Sequence, residues 1–243
     1  MPSHVSPRRL QATRRATSRR VPPPQLTDRD YALLRDLARF GALTLAQLAH
    51  RHFGASSTCS SRLARLAHSG YLVRRRIWYR GPSIYAATSV GTRLANVSLP
   101  VARLVPETLA HHLGVADLAT WLVDGTPGAT WTTERELRRD AMREARERGE
   151  GYAREGTPHI PDGLMAGPDG RVAVELELTT KQRTAYERIF RWYAGALDYD
   201  RVRWFVRSEP TRRRLAELVR QHDLQDFMAV DPLPENVAVP SWL

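Results

Sequence analysis

Residues 161–181 read PDGLMAGPDGRVAVELELTTK. Two short apolar runs flank Gly167-Pro168-Asp169-Gly170, a combination that predicts a β-hairpin. In the second run Val172, Val174, Leu176 and Leu178 share one face. Ala173, Glu175 and Glu177 share the other, because strand side chains alternate. Two carboxylates then stand about 7 Å apart on one strand face. Asp162 opens the preceding strand and is expected beside them. Three acids converging at strand ends form a hard-oxygen site suited to Mg²⁺ or Mn²⁺. The alternative is an exposed sheet on which Glu175 and Glu177 are solvated and Lys181 is a surface residue.

Lys181 is the only lysine among 37 basic residues. Arginine does not readily replace a lysine that must lose a proton or sit compactly near a water. Thr179 to Gln182 fits a capping box with Thr179 as N-cap. That box would put Lys181 in the first helical turn, where the helix dipole disfavours its charge.

These residues resemble the PD-(D/E)XK nuclease superfamily. Pro161-Asp162 matches the first half of its pattern and Glu175-x-Glu177 the second, with Glu177 where lysine is usual. The resemblance implies catalytic roles for Asp162, Glu175 and Glu177, which would also hold Mg²⁺ or Mn²⁺. Lys181 would stand for a catalytic lysine that has moved to the following helix. Degenerate, inactive members of the superfamily also exist.

Working outward, the chain carries a net charge of +11 and an isoelectric point of about 10.7. Such a balance favours a polyanionic partner, most simply nucleic acid. The single Cys59 excludes an intrachain disulfide framework and suits a reducing cytoplasm. No apolar run is long enough to span a membrane, and no signal peptide is expected. Residues 1–25 hold six arginines, no acid and a closing Pro22-Pro23-Pro24, which predicts a disordered basic arm.

Residues 26–96 predict three helices, capped near Thr27, Thr44 and Ser56 or Ser57, and stopped by Gly41, Gly54 and Gly70. A strand from Tyr71 to Tyr79, a turn at 80–83, a strand from Ile84 to Thr88 and a short helix from Ser89 follow. This is the order of a winged helix-turn-helix, and Ile84 to Gly91 resembles the end of the wing in many bacterial regulators. The third helix would then face DNA with Ser57, Thr58, Ser61, Arg62 and Arg65. Arg74, Arg75, Arg76 and Arg80 would contact phosphate from the wing.

Residues 97–106 read as a linker. Residues 107–235 predict a helix, three strands, a helix and a strand, then a further helix and strand, with 236–243 as a tail. Glu134 to Arg154 reads as a solvated helix or mobile insert of mixed charge. The fold class is therefore α/β (α+β): a winged helix-turn-helix followed by a PD-(D/E)XK-like αβββαβ core. In that core the first helix often supplies another catalytic acid, for which Asp117 is the best match. His111 and His112 lie close by in sequence, where a helical histidine is more often a packing residue than a ligand.

The winged helix, the segment Leu109 to Leu113 with Asp117, and the strand Val174 to Thr179 together resemble the replication-relaxation family of plasmids and integrative elements. The resemblance spans about residues 27–232. It implies a bacterial DNA-binding protein in the cytoplasm, associated with nucleoid or plasmid. Its partners would be duplex DNA, a second copy of the chain or other mobile-element proteins. The C-terminal half is expected to be a metal-dependent endonuclease-like domain. The competing expectation is a non-catalytic regulator or replication factor on a relic nuclease fold.

Overall fold

The computed structural model describes residues 24–149 and 159–237. All but the last two residues of the basic arm, most of the C-terminal tail and the end of the mixed-charge insert lie outside the described residues. The order expected between residues 26 and 96 is present. Helix α1 spans Asp28–Phe40, β1 Leu43–Thr44, α2 Leu45–His52 and α3 Ser56–His68. Strands β2 (Leu72–Arg76) and β3 (Ser83–Ala87) and helix α4 (Ser89–Leu94) complete it. Asp30 caps α1 by accepting the Thr27 amide at 2.7 Å, and Thr44 caps α2 by accepting the Gln47 amide at 3.2 Å. The short β1 has no periodicity to announce it in the sequence. It pairs with β3 and makes a three-stranded antiparallel sheet in the order β1-β3-β2.

The second half contains α5 (Pro106–Asp124), β4 (Thr130–Thr133), α6 (Glu134–Glu147), β5 (Gly163–Gly167) and β6 (Gly170–Glu177). Then come α7 (Arg183–Gly195), β7 (Arg201–Val206), α8 (Glu209–Gln221) and β8 (Met228–Pro232). The five-stranded sheet runs β4-β5-β6-β7-β8. Strands β4, β5 and β6 are antiparallel neighbours, whereas β7 and β8 are parallel to β6. The expected hairpin is the β5–β6 pair. Gly170, at φ 86°, supplies the left-handed residue of its turn.

Strand β6 is buried on both faces, so the expectation of an exposed sheet fails. Val172, Val174 and Leu176 join a core that includes Val115, Ala116 and Leu118 of α5. Ala173 on the other face packs with Tyr186, Phe190 and Tyr193 of α7. Glu175 and Glu177 share that second face and are only 6% and 2% exposed. Strand β6 is central, parallel to β7 on one side, with α5 on one face and α7 on the other, which explains this burial.

The segment read as a linker is irregular up to residue 105, with Pro106 already opening α5, but the core runs across it. Leu33, Leu37, Leu48, Leu63 and Leu66 of the first three helices belong to the same buried cluster as Val115, Val174 and Phe205. Each such leucine contributes about 2 kcal/mol through its burial. Polar ties reinforce the junction: Gln47 Nε2 donates to the Leu113 carbonyl at 2.8 Å, and Arg51 Nη2 to the Ala116 carbonyl at 2.7 Å.

Candidate functional site

Asp162 lies just before β5. The register pairs Gly163 with Val174, which sets Asp162 opposite Glu175 across the ladder. The Leu176 amide donates to Asp162 Oδ2 at 2.8 Å. The other carboxylate oxygen, Oδ1, lies 2.9 Å from His111 Nε2 on α5. Glu175 Oε1 meets His159 Nε2 at 2.6 Å and also accepts the Tyr193 hydroxyl of α7. Glu177 Oε2 lies 2.5 Å from Lys181 Nζ. Each of the three acids thus has a basic or phenolic partner within the protein. A Cβ on Gly163 would fall 1.9 Å from the Trp131 ring of β4, so only glycine lets the chain pass that ring beside Asp162.

Electrostatics differ between the two opposed acids. Burial favours the neutral form of Asp162, but the charge and hydrogen bond of His111, with the Leu176 amide, hold its pKa below the ordinary carboxylate range. Burial works against a charged His111, yet Asp162 raises its pKa. Burial pushes Glu175 upward, the charge of Asp162 adds to that, and hydrogen bonds from His159 and Tyr193 only partly oppose it. Repulsion between the two acids therefore acts visibly on Glu175. On Asp162 the histidine prevails.

Two placements differ from the sequence reading. Helix α7 begins at Arg183 with Gln182 as N-cap, so the Thr179 capping box does not form. Lys181 instead precedes the helix. Its amide donates to the Tyr186 hydroxyl at 2.9 Å and its ammonium to Glu177. Asp117 does not join the cluster. Six residues beyond His111, it is about 9 Å further along α5 and two-thirds of a turn around it. Its charge acts on Arg51 of α2, and it lines a groove with Gln47 and Arg74.

Among the described residues no group of three or more His, Cys, Asp or Glu side chains is arranged to hold a metal ion. Asp162 and Glu175 face each other, but Glu177 is drawn to Lys181 and Tyr186. As arranged, the three acids do not fit Mg²⁺ or Mn²⁺ as one donor set. The sequence reading missed His159 and Tyr193. Tyr193 lies on α7, where an aromatic side chain reads as helix packing, and His159 sits in irregular chain where no periodicity speaks. His111 was visible, but not its partner.

The second candidate surface is built by α3 and the β2–β3 hairpin. Ser57, Thr58, Ser61 and Arg65 are exposed along one side of α3, since positions 57, 61 and 65 are successive turns of a helix. Arg74, Arg75, Arg76 and Arg80 are exposed on or beside β2. Tyr79, at the hairpin tip, is 89% exposed. Arg62 departs from the expectation. Its guanidinium forks onto Asp30, with Nε 2.8 Å from Oδ1, and also donates to the Gln25 carbonyl at 2.8 Å. Arg62 therefore compensates a buried acid rather than facing outward. Between Asp36 and Glu107 the sequence contains no Asp or Glu but ten arginines.

No helix among the described residues is long and apolar enough to cross a membrane. The family described as replication-relaxation matches residues 34–205. No curated protein and no solved structure matches the chain.

Proposed function

The chain belongs to the replication-relaxation family, and we propose that it serves there as a duplex-DNA-binding protein. The family suggests a role in the replication or relaxation of mobile elements. The finer reading rests on one observation: the exposed side of α3 and the adjoining hairpin form an arginine-rich surface within a span free of acids. In this reading the first half is a winged helix. Helix α3 enters the major groove, where Ser57, Thr58, Ser61 and Arg65 reach base edges. Arg74, Arg75, Arg76 and Arg80 hold phosphates.

The test is fluorescence anisotropy with the full chain and a labelled duplex over a range of salt. Log affinity is expected to fall linearly with log salt, by about 0.9 for each phosphate neutralised. Replacing Arg74, Arg75 and Arg76 with alanine is expected to flatten that slope and weaken binding about tenfold or more. Unchanged binding by that variant would remove the hairpin from the interface.

In this reading the acids at the ends of β5 and β6 are a charge-compensated strand anchor on a nuclease-like framework. Metal-dependent cleavage is the second reading. It is favoured by the cross-strand placement of Asp162 and Glu175 and by the opening of Asp162 onto a basic cleft. Nicking of supercoiled plasmid with Mg²⁺ or Mn²⁺, abolished by EDTA and by Asp162→Asn, would establish it. Binding without nicking under all these conditions would leave the first reading standing.

A further inference from the structure

Helix α6 carries equal numbers of basic and acidic residues along its length, but not around its axis. Arg135, Arg138, Arg139, Arg143 and Arg146 recur at the three- and four-residue spacing of one helix side, and all five line one cleft of about 850 Å³. Asp140, Glu144 and Glu147 do not line it, Glu136 is turned to Arg39 at 2.7 Å, and Glu134 is the one acid of this helix on the cleft wall, against five arginines. Reading the helix as mixed in charge missed this sidedness.

The arginines do not all serve the same end. Arg135 is half-buried and donates to the Pro100 carbonyl, which ties α6 to the opposite wall. Arg139 and Arg143 pair with Asp140 at 2.9 and 3.3 Å, and Arg138 pairs with Glu134. Solvent-accessible pairs of this kind on one helix are weak, so a phosphate can displace them. Leu104, Leu109 and Val115 give the cleft an apolar part, and Asp162 borders it.

We propose that this cleft is a second nucleic-acid site, which takes the backbone of an unpaired strand and leads it past the Asp162–His111 pair. From Arg135 to Arg146 the row extends about 16 Å, too long for a single phosphate and suited to a polymer of them. Guanidinium forks match phosphate oxygens in pairs. The volume is that of a site for a chain of nucleotide width. The apolar part offers bases a surface that only an unpaired strand can use. The proposal rests on the DNA-binding reading for its ligand, but uses none of the α3 or β2 residues.

The experiment compares the full chain with its R139A/R143A/R146A variant by anisotropy, using a labelled oligothymidylate and a duplex of equal length. Single-strand affinity is expected to fall about tenfold or more, and its salt slope to shrink by about 0.7 for each phosphate no longer neutralised. Duplex affinity is expected to change less than about twofold. The R74A/R75A/R76A variant should show the reverse pattern. Lysine at the three α6 positions should restore most of the single-strand binding while leaving the thermal melt as in the parent. Equal loss of both ligands in the α6 variant, or no single-strand binding by the parent, overturns the proposal. Competition by polyglutamate as strong as that by oligothymidylate of equal charge would also overturn it, since the cleft would then bind any polyanion. If instead only duplex binding by the parent is absent, the α3 reading fails and the cleft stands.

Discussion

On the α3 and β2 surface, arginines stand in water within a span that contains no acid. At the ends of β5 and β6, acids are buried or nearly so, and each is met by histidine, tyrosine or lysine. The first arrangement leaves charge uncompensated where solvent screens it cheaply, which suits capture of a polyanion. The second compensates charge inside the protein, where an unpaired carboxylate would cost several kcal/mol. Residue type alone does not separate the two. Exposure and partner do, and they determine what a substitution disturbs.

Arg62 breaks the comparison most sharply, because it lies on the DNA-side helix yet behaves like the second region. Asp30, its partner, is 1% exposed. Arg62→Ala leaves that carboxylate buried and uncompensated, and is expected to cost about 3 kcal/mol or more. Urea denaturation measures it. Arg65→Ala, three residues away, should change stability by no more than about 0.5 kcal/mol. Equal stability of the two variants would contradict the assignment of Arg62 to the fold.

Gly163→Ala tests how closely the acid region is built. The added methyl meets the Trp131 ring, which must move or force the Asp162 strand aside. A cost of about 2 kcal/mol is expected by chemical denaturation. Duplex affinity at a temperature where the variant stays folded should match that of the parent. A neutral effect on stability would mean that the strand and ring yield freely.

Much of this contrast is legible in the sequence. Alternation through Val172–Leu178 places Glu175 and Glu177 together, and helix stops at Gly41, Gly54 and Gly70 delimit the first three helices. Both are local signals. What is not legible depends on packing between distant segments. Nothing near Arg62 announces Asp30, 32 residues earlier, and nothing near Asp162 announces His111, 51 residues earlier. The Thr179 capping box is locally plausible but loses to tertiary interactions: Thr180 bonds to Thr211, and the Lys181 amide to Tyr186.

The His111–Asp162 pair should leave its mark on pH dependence. The folded pKa of His111 is raised, so its contribution is complete below the unfolded value near pH 6.5 and is lost as pH rises through the folded one. That of Asp162 is lowered, so its contribution is complete above the unfolded value near 3.8 and is lost as pH falls through the folded one. The difference in stability between the parent and Asp162→Asn should therefore be largest between about pH 4 and 6.5, at about 2 kcal/mol, and shrink on either side. The His111 ring resonances of the variant should titrate at lower pH than those of the parent. No shift would detach His111 from Asp162.

The smallest expected effect separates Asp162 from its neighbour across the ladder. The raised pKa of Glu175 comes from burial first, with the charge of Asp162 adding to it. A raised carboxyl pKa means that the folded state keeps its proton longer than the unfolded chain. Stability from this group is thus greatest below the unfolded value near 4.5, and declines as pH rises through the folded one. Glu175→Gln removes the titration but keeps an oxygen to accept from Tyr193 and His159. Near pH 5 the variant should melt with the parent. At pH 8 it should be as stable or more so, by no more than about 1 kcal/mol, with duplex affinity unchanged. A variant clearly less stable than the parent at pH 8 would show that His159 holds Glu175 in its charged form, so that both opposed acids are ionised together. The two carboxylates would then form a pair of like charges able to recruit a cation, and the case for metal-dependent chemistry would strengthen at the expense of the compensated anchor.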